Sequence, residues 1–293
     1  RKNKRLFLPY LLTCVCMVMM FYILSFLGSP ETCALLPRGS NGAGLILNLG
    51  SAVIFVFSAI FLYYTNSFLI RRRTQEFGLY NVLGMGKRNL ARIATWESLI
   101  TAALSLAFGL ALGIIFSKLA ELGLLNMLGG EINYRVRIDA ESVTRTLGLY
   151  AVIFALIWLS TVIRVGRSSA VALLRSESVG EKPPKANWAL GLAGLVILAA
   201  AYYLAVSITN PIDAMVWFFV AVILVIVATY LLLIAGSVLL CRVLQKNKKY
   251  YYQPSHFVSV SSMAYRMKRN GAGLASVCII ATMILVMISS SSC

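Results

Sequence analysis

Long apolar stretches alternate with short basic segments along the whole chain, and this alternation constrains the fold more than any other feature. Hydrophobic residues make up 59% of the 293 residues and charged residues 13%, against about 45–50% and 25% in a soluble domain. The pattern predicts an all-α fold, that of a polytopic helical membrane protein. It excludes a soluble enzyme and a nucleic-acid-binding module, although the net charge is +17.

Seven stretches are predicted as membrane spans, since a helix needs about 20 mostly apolar residues to cross a bilayer. They are Leu6–Leu27, Leu45–Ile70, Ile93–Phe116, Leu147–Ile163, Trp188–Val206, Ala214–Leu240 and Gly273–Ser289. The fourth is short, but Asp139 can cap a helix that begins outside the bilayer. Because the chain lacks an initiator Met and stops close to the seventh stretch, we expect a fragment cut at both ends.

The distribution of basic residues predicts the orientation of the chain. With a cytoplasmic N-terminus, the inner segments 1–5, 71–92, 164–187 and 241–272 hold 22 of the 27 Lys and Arg residues. Cytoplasmic loops of membrane proteins are enriched in these residues. A multi-pass protein with a cytoplasmic N-terminus is therefore predicted, and contact with anionic membrane lipid is the simplest interpretation of each basic cluster.

The predicted spans carry almost no ionisable side chains. Glu97 is the only acid in a helical run, and we expect it at the inner interface, where it either anchors the helix or forms a coupling contact. No acid–base or nucleophile–base pair, metal-ligand cluster or phosphate loop of the type G-x-x-x-x-G-K-[ST] is recognisable. The sequence thus predicts no catalytic residue, no metal and no cofactor bound by this chain, and it disfavours an ion-driven transporter.

Small residues line one face of the predicted third span. Ser105, Gly109 and Gly113 repeat every four residues, so they share a face on which another helix backbone can approach closely. This spacing predicts helix packing without naming the partner helix.

The inner segment 71–88 predicts a short amphipathic helix. Phe77, Tyr80 and Leu83 recur at helical spacing, while the glycines of the segment weaken a helix by about 1 kcal/mol each relative to alanine. Such a helix either lies in the lipid headgroups or docks in a groove of a soluble protein. Composition alone favours neither interpretation.

Four parts of the chain resemble one family of membrane proteins. The stretch Glu76–Arg88 is similar to the inner loop of FtsX-like permeases, the membrane subunits of ABC transporters, and specifically to the bacitracin-export, or BceB-like, type of Gram-positive bacteria. Arg5–Leu12, Trp96–Glu97 and Phe257–Lys268 resemble that family's approach to the first span, its third span and its approach to the seventh span. The four elements occur in the family's order.

The resemblance implies the N-terminal portion of a plasma-membrane permease with ten spans and a large extracytoplasmic domain after the seventh. The permease would not be an enzyme itself; a separate ATPase subunit, in two copies, would bind ATP and Mg. Such transporters counter peptide antibiotics that attack cell-wall synthesis, such as bacitracin or lantibiotics, by acting on the peptide or on its lipid-linked cell-wall target. They often also signal to a membrane histidine kinase.

The chain is predicted to divide into four parts. Residues 1–44 hold the first span and a short outer loop, and 45–180 hold the FtsX-like permease core with spans two to four. Residues 181–255 hold spans five and six with a basic inner loop, and 256–293 hold an amphipathic elbow and the seventh span.

The resemblance also implies that the short inner helix docks on the ATPase subunit. The residues expected to form this ATPase-coupling helix are Glu76, Phe77, Gly78, Tyr80, Leu83 and Gly84. A second and weaker coupling segment is expected at Val171, Leu174 and Arg175.

Three other functions are weighed against this interpretation. A lipid- or lipoprotein-handling permease of the same superfamily usually has its outer domain after the first span, but about 17 residues separate the first two predicted spans here. A sensor or scaffold that reports antibiotic to a histidine kinase would show the same spans. A membrane-embedded enzyme would need a buried acid–base pair, which the spans do not offer.

Overall fold

The computed structural model describes residues 4–34, 40–128, 137–167, 188–207, 211–246, 271 and 273–285. Regular structure within these residues is helical. The helices are α1 (Lys4–Leu27), α2 (Pro30–Cys33), α3 (Ser40–Arg72), α4 (Thr74–Val82), α5 (Lys87–Leu128), α6 (Ala140–Arg167), α7 (Trp188–Ser207), α8 (Pro211–Lys246) and α9 (Gly273–Leu285). Six of them (α1, α3, α5, α6, α7 and α8) are long and apolar enough to cross a membrane. The predicted fold class, a polytopic helical membrane protein, is confirmed.

The predicted seventh span, Gly273–Ser289, corresponds to α9. This apolar helix covers Gly273–Leu285 and is shorter than the other six, and the remainder of the predicted span lies outside the described residues. A seventh crossing therefore stays a prediction.

Hydropathy underestimates the length of α5. This helix contains 42 residues, so it is about 63 Å long, twice the roughly 30 Å apolar thickness of a bilayer. The predicted third span, Ile93–Phe116, forms its central part. The helix continues for several residues on the side predicted to be cytoplasmic, termed the inner side, and through residues 117–128 on the outer side.

The chain forms two compact units, Arg1–Ser178 and Val179–Cys293. The first contains α1 to α6, and the second contains α7 to α9. In the second unit, α7 packs along α8 at the small residue Gly194. The hydroxyl groups of Tyr230 and Ser276, 2.9 Å apart, join α8 to α9.

Helix α1 lies at the centre of the first unit, where it contacts α3, α5 and α6. Tyr10, Cys14, Val18 and Phe21 are buried along it. The ring of Phe21 meets the ring of Tyr150 on α6 edge to face, with centroids 5.6 Å apart. The core of this unit therefore surrounds α1.

The small-residue face of α5 packs on α1. Ser105 is fully buried, and a Cβ added to Gly109 would lie 2.7 Å from Cβ of Val18. A Cβ added to Gly113 would lie 2.8 Å from Cδ1 of Tyr22. The helix packing that the sequence predicted at these three positions thus has α1 as its partner.

Side-chain hydrogen bonds join the helices of the first unit within the membrane. The Tyr150 hydroxyl on α6 donates to the backbone oxygen of Met17 on α1 at 2.8 Å and lies 3.0 Å from Ser58 Oγ on α3. Nearer the inner side, Asn66 Nδ2 on α3 donates to Thr161 Oγ1 on α6 at 2.9 Å. Such bonds hold membrane helices together where lipid offers no partner.

On the outer side, Asp139 caps α6 as the sequence predicted. Its carboxylate accepts from the backbone N–H groups of Glu141 at 3.2 Å and Ser142 at 3.1 Å. Arg137 pairs with Glu31 of α2 at 3.0 Å. The cap lets the helix begin outside the apolar stretch that predicted the fourth span.

Candidate functional site

The predicted inner helix is present as α4, and a single residue separates it from α3. Arg73 stands between the two helices with φ −93° and ψ 0°. Its N–H still donates to the carbonyls of Leu69 and Ile70, and its own carbonyl accepts from Phe77 N–H. Arg73 thus interrupts the helical conformation while its own N–H and C=O both keep hydrogen-bond partners.

The side chain of Arg73 connects α4 to α5. Its two terminal nitrogens donate to both carboxylate oxygens of Glu97, Nη1 to Oε2 and Nη2 to Oε1, the latter at 3.0 Å. Its Nε donates to Glu76 at 3.3 Å, and its guanidinium carbon lies 5.3 Å from the centroid of the Phe77 ring. One guanidinium therefore contacts two carboxylates and an aromatic ring.

Arg73 stays charged in this setting. Burial lowers the pKa of its guanidinium, but the hydrogen bonds and negative charges of Glu97 and Glu76 outweigh that effect and raise the pKa above its ordinary value. Its side chain is 11% exposed, while those of Glu76 and Glu97 are 37% exposed. Glu97, expected at the inner interface, thus holds a half-buried ion pair.

Phe77 anchors α4 to the body of the unit. It is 3% exposed and belongs to a buried cluster with Ile70 of α3, Leu90 and Ala94 of α5, and Val165 of α6. Because its ring faces this cluster, Phe77 has no surface left for a partner protein. The expected direct contact between Phe77 and the ATPase is corrected accordingly: Phe77 holds the helix in place.

The opposite side of α4 is open. Leu79 is 54% exposed, Tyr80 39% and Leu83 73%, whereas Gly78 is buried. We call Leu79, Tyr80 and Leu83 the α4 surface. Only part of the predicted coupling set is therefore available to a partner.

Gly84 ends α4 and directs the chain into α5. Its φ is +93°, a left-handed conformation that L side chains adopt only at a cost. Gly84 N–H donates to the Asn81 carbonyl at 3.2 Å, and Met85 N–H donates to the Tyr80 carbonyl at 3.0 Å. This is the Schellman arrangement of a helix end, so the glycine is a structural element of the site.

Basic residues flank the α4 surface on both sides. The exposed ones are Arg71, Arg72, Lys87 and Arg88. An apolar and aromatic surface between cationic flanks suits an acidic protein groove, with Tyr80 offering both a ring and a hydroxyl.

A small cavity lies beside the ion pair, between α1, α3, α5 and α6. Its polar lining includes Tyr10, Asn66, Arg73, Glu97 and Thr101. It offers about 20 Å³, which is enough space for one water molecule.

The weaker coupling segment, Val171, Leu174 and Arg175, lies outside the described residues. The sequence gives Arg73 no separate role, because it is one of three consecutive arginines that follow the predicted second span. Its spacing of three residues from Glu76, and the presence of Glu97 as the only acid within a predicted span, were the available signals.

A family model described as "FtsX-like permease C-terminal" matches residues 48–170. Residues 48–170 are thus similar to an FtsX-like permease domain. The matched stretch includes most of α3 and all of α4, α5 and α6, so the α4 surface and the Arg73 ion pairs lie within it.

Proteins similar to this chain include permeases. The chain is 26% identical over 284 residues to the uncharacterized ABC transporter permease YvcS of Bacillus subtilis. This alignment covers 97% of this chain and 44% of that protein. It is 24% identical to the bacitracin export permease protein BceB of the same organism, over 92% of this chain and 43% of that protein. It is 26% identical to the bacitracin export permease protein BceB of Halalkalibacterium halodurans, over 87% of this chain and 40% of that protein.

The chain thus spans less than half the length of these relatives. Its predicted resemblance to FtsX-like ABC transporter permeases of the bacitracin-export type is confirmed.

Proposed function

We propose that this FtsX-like chain is the part of an ABC transporter permease that receives movement from a separate ATPase subunit, and that the α4 surface is the docking site. The whole transporter would protect cells against peptide antibiotics that attack cell-wall synthesis, of the bacitracin or lantibiotic type. ATP and Mg would be bound by the ATPase, in two copies, and the N-terminus would be cytoplasmic.

The exposed apolar end of α4 is the observation that supports this proposal most directly. A connection between two membrane spans needs only a few polar residues, yet this one exposes Leu79, Tyr80 and Leu83 on a helix fixed from behind by Phe77 and Arg73. A helix held this firmly transmits a push, whereas a loose loop would absorb it.

The proposed mechanism follows from that geometry. Closure of two ATPase subunits around ATP pushes on α4, and the helices of the first unit carry the movement across the membrane. On the outer side, the movement releases the peptide from its lipid-linked target or expels it. The same proposal includes a membrane histidine kinase that responds to this movement.

Capture of the ATPase tests the docking site. The permease containing this chain is expressed with the ATPase encoded beside its gene, purified through a tag on the permease, and assayed for bound ATPase. Truncation of interface anchors costs about 2 kcal/mol or more each, and 1.4 kcal/mol is tenfold in affinity. The double variant Tyr80→Ala, Leu83→Ala should therefore capture at least tenfold less ATPase and lose peptide resistance.

A matched control removes the same residue types elsewhere. Tyr203 and Leu119 are 73% and 69% exposed and lie outside the inner segments. The variant Tyr203→Ala, Leu119→Ala should capture ATPase at the wild-type level. Equal capture by both double variants would contradict docking at α4 and would favour an interfacial helix in a sensor or scaffold.

A further inference from the structure

Arg73 links two helices through its backbone and a third through its side chain. Its backbone is the only link between α3 and α4, with a non-helical ψ of 0°. Its side chain reaches away from α3 and contacts Glu97 of α5 and Glu76 of α4. The backbone at this point allows bending between α3 and α4, while the side chain fixes α4 to α5.

The contact with α5 is directional. Two terminal nitrogens of Arg73 face two oxygens of Glu97, and such bidentate, charge-assisted bonds fix angle as well as distance. The guanidinium is largely buried, so separating it from Glu97 would leave a charge in an apolar setting without its partner. A displacement of α4 should therefore move α5 with it.

Helix α5 suits this role because of its length. It begins four residues after Leu83 and continues without interruption for 42 residues, about 63 Å. Movement delivered at Glu97 thus reaches the outer side through one continuous helix.

We propose that Arg73 is a positioning residue that ties α4 to α5, so that a push on the α4 surface is delivered to α5 instead of being lost by bending at the α3–α4 junction. This inference rests on the proposed function. It assigns a role to a residue whose side chain bonds to Glu97 and Glu76 within the permease itself.

The alternative is that apolar packing of Phe77 against Leu90 and Ala94 is sufficient to join the two helices. Apolar contacts do not depend on which helix carries the positive charge. Exchanging the charges of Arg73 and Glu97 therefore separates the two explanations, because the exchange keeps an ion pair between α5 and the start of α4. It replaces the ion pair of Arg73 with Glu76 by two neighbouring carboxylates, both of which can face the new guanidinium on α5.

ATP turnover by the assembled transporter tests the proposal. For Arg73→Gln we expect wild-type folding by size-exclusion chromatography, an unchanged KM for ATP and a kcat about tenfold lower. The exchange Arg73→Glu, Glu97→Arg should restore kcat to within twofold of wild type. Arg73→Lys keeps the charge but cannot bind both oxygens, so its kcat should also fall.

Arg92→Gln is the matched control. Arg92 is an exposed arginine on α5, one residue before the predicted third span, and it lies outside the α4 surface and its basic flanks. Its kcat should equal that of wild type. A kcat of Arg73→Gln within twofold of wild type, or an assembled exchange variant that stays as slow as Arg73→Gln, would overturn the tie. A wild-type permease that captures no ATPase would overturn the proposed function, and the tie with it.

Discussion

Gly109 marks the closest approach between α1 and α5. A Cβ at this position would lie 2.7 Å from both Cβ and Cγ1 of Val18 and 3.2 Å from the backbone oxygen of Val15. Since backbone atoms cannot rotate away, Gly109→Ala should force the helices apart. We expect the free energy of unfolding to fall by about 1–3 kcal/mol, measured by thermal unfolding of the purified permease in detergent.

Gly123 provides the comparison on the same helix. No atom lies within 4 Å of a Cβ built there, and alanine favours a helix over glycine by about 1 kcal/mol. Gly123→Ala should therefore leave stability unchanged or raise it. If both substitutions had the same effect, the close approach at Gly109 would not matter for stability.

The ion pair of Arg73 shows what a single sequence does not disclose at the residue scale. The glycine spacing of α5 could be recognised because all its members lie on one helix. Glu97 is 24 residues away from Arg73 along the chain, and their contact depends on the angle at which α4 leaves α3. That angle is a property of the packed unit.

At the scale of elements, Tyr150 joins three helices. Its hydroxyl bonds to Met17 of α1 and Ser58 of α3 from its position on α6. Tyr150→Phe keeps the ring and removes these bonds, so unfolding should become easier by about 1 kcal/mol, seen as a lower thermal midpoint. Tyr203→Phe, at a side chain 73% exposed, should leave the midpoint in place; an equal shift in both would rule out a special role for Tyr150.

The helices themselves could largely be predicted from sequence, because apolar runs determine where spans lie. The full length of α5 could not be predicted in this way, because its two ends are amphipathic. A span predicted from hydropathy ends where polar residues begin. The sequence also did not predict that α4 has one buried side and one exposed side. Residues three apart differ by about 60° around a helix, so Leu83 lies about 120° from Phe77. An arc of that width allows Phe77 to be buried while Leu83 is exposed.

At the scale of the whole molecule, the basic residues predict which side each segment faces. Labelling of single cysteines in a cysteine-free background tests this with a membrane-impermeant maleimide on intact cells. Leu119→Cys, on the part of α5 beyond its predicted span, should react at once. Arg72→Cys should react only after the membrane is permeabilised. The reverse result would invert the topology and remove the α4 surface from the cytoplasm.

The unequal helix lengths have a consequence for the surrounding lipid. Helix α7 has 20 residues, about 30 Å, and just matches an ordinary bilayer, whereas α5 continues beyond that thickness with amphipathic ends. Thicker bilayers would therefore strain α7 while α5 merely sinks deeper at its outer end. A change in lipid acyl-chain length should therefore affect α7 of the second unit and leave α5 of the first unit unaffected.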